Sequence, residues 1–74
     1  MDWIAAAVEW GNFKYEVHAQ WQKLTAAQLE GIAGVRSRLG RQICATYGVR
    51  AEEAERQMSS FEARNEYFSA VSTR

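Results

Sequence analysis

Few side chains in this 74-residue sequence could act as nucleophiles or metal ligands. His18 and Cys44 are the single residues of their kind, so a catalytic Cys–His pair would require these two to meet in space. They cannot supply the three or four nitrogen and sulfur ligands of a zinc site. A histidine beside an apolar stripe is more often a solvated residue, and a free cysteine usually behaves as a small hydrophobe. We therefore predict no catalytic residue, no metal site and no cofactor.

Glu52, Glu53 and Glu55 form an acidic cluster that could suggest acid–base catalysis. A general acid and a general base need different environments, and the sequence gives these carboxyl groups none. Acids are favoured in the first turn of a helix by its dipole, which explains the cluster without catalysis. A domain this small also leaves little room for a ligand pocket of about 300 Å³. The sequence thus predicts a protein that is not an enzyme.

The arginines are better suited to binding an anionic partner, because a guanidinium can hold phosphate through two hydrogen bonds. The net charge is zero, yet residues 35–50 carry four arginines and no acid. At about 100° per helical residue, Arg38 and Arg41 share a face, whereas Arg36 points about 160° away from Arg38. Arg38 and Arg41 are therefore the candidate anion contacts. The alternative is a solvated face whose arginines pair with acids of the same chain.

The elements that must position these side chains are all predicted to be helices. From Trp3 to Trp21 the apolar residues recur in steps of three and four, as on one face of a helix. This first stripe consists of Trp3, Ala6, Trp10, Phe13, Val17 and Trp21. We expect a single continuous helix over this range, with Glu9 and Glu16 on its polar face.

A second helix is predicted to begin at Ala26, because Thr25 and Gln28 have the spacing of a capping box. Gly34 predicts a break that separates a short helix from a longer one. Arg36 is expected to lay its stem along the core with its charged head in water. Gly48 predicts the end of the longer helix, where a left-handed residue is common.

The last helix is predicted to follow Arg50, with a stripe that reaches Asn65 and Phe68. Residues 69–74 have little to bury and are expected to fray. The predicted core gathers the apolar residues of all stripes. It consists of Trp10, Phe13, Val17, Trp21, Leu29, Ile32, Leu39, Ile43, Tyr47, Ala54, Met58 and Phe61.

Two groups of residues resemble the CsbD-like proteins: Trp21-x-Lys23-Leu24-Thr25, and Tyr47-Gly48-Val49 followed by Glu53-Ala54-Glu55. The resemblance extends over residues 10–61. It implies a small bacterial cytoplasmic protein of the general stress response with no assigned enzymatic activity. It also implies a compact bundle of about four helices, of the SAM-domain-like type with two orthogonally packed helical hairpins. Arg50 stands where the family tends to have a serine that would cap the last helix.

The length of the chain predicts one domain over residues 1–74. Cys44 has no second cysteine to pair with, which predicts a reducing compartment. No apolar run reaches the roughly 18 residues of a membrane-spanning helix, and Asp2 stands where a secretion signal would be positive. We expect a cytoplasmic protein of unknown target. Two alternatives stay open. One is a weak nucleic-acid-binding module using the face of Arg38 and Arg41, and the other is a membrane-surface or weakly self-associating protein.

Overall fold

The computed structural model describes residues 3–65 of the chain, and this range folds into five helices without a strand. Helix α1 spans Trp3–Val8, α2 Trp10–Gln20, α3 Ala26–Ile32, α4 Arg36–Tyr47 and α5 Ala51–Arg64. The predicted all-α class is confirmed, as a small helical bundle. The predicted stripe position Phe68 and the predicted fraying of residues 69–74 lie outside the described residues.

The first helix is divided in two at Glu9, so the prediction of one continuous helix was wrong. Glu9 has φ −107° and ψ 31°, outside the usual range of a helical residue. Glu9 is hydrogen-bonded to both helices, since its N–H donates to the Ala5 carbonyl at 3.1 Å and its carbonyl accepts from the Phe13 N–H at 2.9 Å. Before the break, Ala7 of α1 packs so closely on Gly34 that a Cβ at Gly34 would collide with the Ala7 backbone. The break at Glu9 thus lies close in the chain to a backbone contact with Gly34 that apolar spacing does not record.

The predicted start of α3 is confirmed, together with its capping box. Gln28 donates its backbone N–H to Thr25 Oγ1 at 3.1 Å, and Gln28 Oε1 accepts from the Thr25 N–H at 2.8 Å. The predicted break near Gly34 is also confirmed, because Gly34 has φ 79° and α4 begins at Arg36. Gly48, with φ 66°, ends α4 in the left-handed conformation predicted for it.

Aromatic rings from α1, α2 and α5 form one connected part of the core. Trp21 is 2% exposed, and its ring centroid lies 5.1 Å from that of Phe61. The Phe13 ring lies 6.0 Å from both Trp3 and Phe61 and 6.2 Å from Trp10. Such edge and tilted contacts are favourable beyond the area they bury. The rings therefore join the N-terminal helices to α5.

Each indole N–H donates to a residue of a helix that does not contain that tryptophan. Trp3 Nε1 donates to Glu62 Oε2 at 2.6 Å, Trp10 Nε1 to the Leu29 carbonyl at 2.8 Å, and Trp21 Nε1 to Gln57 Oε1 at 3.0 Å. A buried indole needs such a partner because an unpaired polar group in the core is costly. These bonds fix how the rings are oriented as well as where they lie.

Tyr47 is the member of the predicted core that the structure leaves only partly buried. Its hydroxyl accepts from the Lys23 N–H at 3.0 Å, and its ring centroid lies 5.6 Å from Lys23 Nζ. A phenol keeps its polar end near a partner, so Tyr47 stays at the edge of the core. The other residues of the predicted core are buried, as are Ala6 and Leu24, which the predicted core omitted.

Candidate anion-binding surface

Arg36 is fully engaged with α5. Its Nε donates to Glu62 Oε2 at 2.6 Å, and its two terminal nitrogens donate to the two oxygens of Glu55 at 2.8 Å each. These hydrogen bonds, to Glu55 first and then to Glu62, raise the pKa of Arg36 above its usual range. The sequence predicted that the Arg36 guanidinium would lie in water. It lies instead between the carboxylates of Glu55 and Glu62, whose positions periodicity could not predict. Arg36 therefore joins α4 to α5.

Arg38 and Arg41 lie together on the surface between α3 and α4. Both are exposed, and they line one depression of about 430 Å³ with Ala27, Gln28, Gly31 and Gln42. Arg38 Nη1 donates to the Gly31 carbonyl at 3.3 Å, in the last turn of α3, where helix carbonyls favour a cation. Neither guanidinium forms an ion pair with any carboxylate of residues 3–65. The structure thus brings together the two arginines that helical geometry selected.

The remaining arginine of the basic segment is not part of this surface. Arg50 lines a separate depression with Glu52, Glu53 and Arg56, at the start of α5. Arg41, by contrast, borders both the depression shared with Arg38 and the groove between α4 and α5. The four arginines of residues 35–50 therefore do not form a single basic patch.

Two glutamines connect α3 to α4 beside this surface. Gln28 Nε2 donates to Gln42 Oε1 at 2.7 Å and to Thr46 Oγ1 at 2.9 Å. Sequence reasoning identified Gln28 as a capping residue but missed Gln42. No local pattern could have identified Gln42, because its partner lies 14 positions earlier on another helix.

His18 and Cys44 line different depressions, so the structure does not bring them together. His18 is exposed beside Lys14, Tyr15 and Glu30, while Cys44 lines the groove between α4 and α5. Within residues 3–65, no group of three or more His, Cys, Asp and Glu side chains could hold a metal ion. The groove at Cys44 has a volume of about 520 Å³, so the prediction of little room for a pocket was wrong. The groove lies between two helices at the surface, so the size of the core does not limit its volume.

The acidic cluster is divided among separate partners. Glu53 accepts from Arg56 at 2.7 and 3.0 Å and from Gln57 at 2.8 Å, and these bonds, that of Gln57 first, lower its pKa. The hydrogen bond from Arg36 lowers the pKa of Glu55. Glu52 is exposed in the first turn of α5 with Glu53, as dipole compensation predicts. Glu53 and Glu55 thus bind other side chains of the same protein.

The N-terminal helices expose some apolar surface. Ile4 is 76% exposed, Val8 81% and Tyr15 68%. Every helix in the described part of the chain is too short or too polar to span a bilayer.

Sequence comparison finds relatives in several bacteria. The UPF0337 protein YjbJ of Escherichia coli strain K12 is 39% identical over 62 residues, which cover 84% of this chain and 90% of the relative. The protein of the same name from Salmonella typhimurium is 36% identical over 62 residues, or 84% of this chain and 89% of that one. The UPF0337 protein NE2439 of Nitrosomonas europaea is 34% identical over 61 residues, or 82% of this chain and 65% of the relative. No family model matches the chain, and no solved structure matches it significantly.

Proposed function

The chain belongs to the UPF0337 proteins, which are CsbD-like family members, and on this premise we propose that it is a non-enzymatic, cytoplasmic protein of the bacterial stress response. The protein acts by binding a partner or by its abundance under stress. Its side chains are used for folding and for surface contacts, and it transforms no substrate.

The observation that carries the non-enzymatic part of this proposal is how the carboxylates of α5 are used. Glu53, Glu55 and Glu62 all accept hydrogen bonds from other side chains of the same protein. The pKa values of Glu53 and Glu55 are lowered by these bonds, so both groups stay ionised at neutral pH. A general acid requires the opposite, a carboxyl pKa raised toward neutrality. The hydrogen bonds and lowered pKa values of Glu53 and Glu55 therefore support a structural role for these carboxylates.

Deletion and complementation in the native bacterium test this proposal. The amount of the protein is measured during heat, ethanol, salt and nutrient stress, and survival of a deletion strain is compared with that of the parent. We expect the protein to accumulate in at least one condition and the deletion strain to survive that condition less well. A protein whose amount and deletion phenotype do not respond to any of these stresses would contradict the stress role.

A variant that replaces Glu52, Glu53 and Glu55 with Gln separates folding from catalysis. If its circular dichroism and thermal melt show a folded protein, it should restore survival as well as wild type does. Trp21→Ala is the matched failure control, because it should not fold well enough to complement. A folded triple variant without complementing activity would overturn the non-enzymatic interpretation. Cell fractionation of the wild type tests the cytoplasmic location.

Self-association is a second candidate, favoured by the surface of α1. This helix contains no charged residue, and Ile4 and Val8 lie one turn apart on it with most of their surface in water. Sedimentation equilibrium of wild type and of an Ile4→Ser/Val8→Ser variant tests it, with a concentration-dependent mass expected only for wild type. Equal monomer masses would exclude self-association, and co-sedimentation of wild type with vesicles would show a membrane surface as the partner instead.

A further inference from the structure

Side-chain amides link the start of α3 to the surface that carries Arg38 and Arg41. The first link has a fixed direction, because a backbone N–H can only donate, and the Thr25 N–H donates to Gln28 Oε1 at 2.8 Å. A primary amide has one carbonyl oxygen and one NH₂ group. Gln28 must therefore present its NH₂ group elsewhere, and this group donates to Gln42 Oε1 at 2.7 Å. The orientation of the Gln42 amide is set in turn by the capping box.

These hydrogen bonds from Thr25 through Gln28 to Gln42, called the amide relay below, leave a donor available on Gln42. Its carbonyl oxygen is held by Gln28, and within residues 3–65 its own NH₂ group has no acceptor. Gln42 lines the same depression as Arg38 and Arg41. Each guanidinium carries five N–H donors, of which Arg38 uses one on the Gly31 carbonyl. Three side chains of this depression therefore offer donors and positive charge.

No carboxylate lies among the described residues that line the depression. Ala27, Gln28 and Gly31 contribute the α3 side, and none of their side chains carries a charge. The nearby acid Glu30 is held by Lys14, with 2.6 Å between Nζ and Oε2. The depression is therefore a surface of donors without a competing carboxylate among its lining residues.

The position of Arg38 also suggests a partner outside the fold. Arg36 and Arg38 lie in the first turn of α4, where the helix dipole favours acids, and this turn has no acid and no side-chain cap. Glu55 and Glu62 compensate the charge of Arg36. Among the residues that the structure describes, no carboxylate compensates Arg38. Local rules that a natural sequence breaks without an internal compensation often mark functional positions.

We propose that Arg38, Arg41 and the amide NH₂ of Gln42 form a binding site for a phosphate group. The two guanidinium groups supply the charge. Gln42 supplies a neutral donor, and the capping box sets the orientation of its amide group. The site goes beyond the stress role and does not depend on it. The phosphate could belong to a small phosphorylated compound or to the backbone of a nucleic acid, and separate arms of the test distinguish these sources.

Titration of ¹⁵N-labelled protein with inorganic phosphate tests the site directly. We expect saturable shifts of the Gln42 side-chain NH₂ and of the arginine Nε–H signals. Loss of a protein donor that binds an anion weakens the binding by about tenfold for an arginine and roughly threefold for a neutral amide. Arg38→Gln and Arg41→Gln should therefore each weaken binding about tenfold, and Gln42→Met about threefold.

An Arg50→Gln/Arg64→Gln variant is the matched control. It loses the same net charge as Arg38→Gln/Arg41→Gln, and both of its arginines are exposed and outside the depression. Phosphate binding should survive in this control and disappear in the Arg38/Arg41 variant. Equal losses in the two variants would show general charge attraction and overturn the site.

Gln28→Glu tests the amide relay without removing the cap. A glutamate still accepts from the Thr25 N–H, but its second oxygen would draw the Gln42 NH₂ away from the depression. Ala27→Glu adds the same charge to the same wall and leaves the amide relay intact. We expect the Gln42 response to phosphate to vanish in Gln28→Glu and to persist, with weaker affinity, in Ala27→Glu. Identical behaviour would overturn the orienting role of Gln28.

Fluorescence anisotropy with labelled duplex and single-stranded oligonucleotides identifies the source of the phosphate. If the site takes nucleic-acid backbone, wild type binds the oligonucleotides and Arg38→Gln/Arg41→Gln lowers the salt slope by about two. Binding of inorganic phosphate without binding of oligonucleotides assigns the site to small phosphorylated compounds. Wild type that responds to neither ligand would overturn the proposal, and the survival experiments would still decide the stress role separately.

Discussion

The two sides of α4 use arginine in opposite ways. Toward α5, Arg36 donates to two carboxylates, whereas toward α3 Arg38 meets only a backbone carbonyl. The two residues are of the same type and two positions apart, so the difference comes from what the neighbouring helix offers. A net charge of zero hides this division, because the sum does not show which charges are already paired. Paired arginines stabilise the fold, and unpaired ones remain available to a partner.

The largest expected effect lies on the α5 side. Trp21→Ala removes a ring that packs on Phe61 and donates to Gln57, and should destabilise the protein by about 3–5 kcal/mol. Urea unfolding measures this change. Gln57→Ala, which removes only the acceptor of the indole, is the smaller control. A Trp21→Ala midpoint close to that of wild type would show that the α5 side does not hold the fold together.

The comparison itself is tested by matched substitutions on α4. Arg36→Met leaves Glu55 and the partly buried Glu62 without their cation and should cost about 1–3 kcal/mol. Arg38→Met changes an exposed residue and should stay within about 0.5 kcal/mol of wild type. Both are measured by urea unfolding under the same conditions. Similar costs for the two variants would remove the distinction between the sides.

The capping box sharpens the comparison from the α3 side. Thr25→Ala should destabilise by about 0.5–2 kcal/mol, because the Gln28 N–H loses its acceptor. Arg50 provides no side-chain cap for α5, so Arg50→Ser should stabilise by up to about 1 kcal/mol. Thermal melts of both variants give the signs. The same sign in both would contradict the assigned start of one helix.

The smallest expected effect is a dependence of stability on acid pH. The hydrogen bond from Arg36 lowers the pKa of folded Glu55, so the folded state binds this proton less readily than the unfolded state. Its contribution is complete above the unfolded pKa of about 4.3 and is lost as the pH falls through the lower folded value. Urea midpoints between neutral pH and pH ~3 should therefore fall less steeply in Glu55→Gln than in wild type. The exposed Glu52→Gln is the control, and a steeper fall in Glu55→Gln than in this control would contradict the sign.

Features that act on their own neighbours could be predicted from the sequence. Thr25 with Gln28 starts α3, and Gly34 and Gly48 take the left-handed conformations at the ends of helices. The break at Glu9 could not be predicted in this way. Trp10 and Phe13 continue the three- and four-residue spacing of Trp3 and Ala6, and periodicity does not detect a break that leaves this spacing unchanged.

The candidate site could be predicted only as far as helix geometry extends. Arg38 and Arg41 share a face because of the angle between successive residues, and this holds in any helix. The partners of Arg36 and the orientation of Gln42 depend on contacts across 14 to 26 positions. Such contacts are decided by how helices pack, and a local pattern contains no record of them.

The carboxylate of Glu62 has a further consequence for the order of folding. Its Oε2 accepts from Trp3 Nε1, 59 positions earlier, and this hydrogen bond links the two ends of the described chain. Contacts between such distant residues form late, because the intervening chain must first lose its freedom. We expect the N-terminal helix to dock last and to leave first. A molecule stretched from its ends would then release this hydrogen bond before tension reaches the rings of Phe13, Trp21 and Phe61.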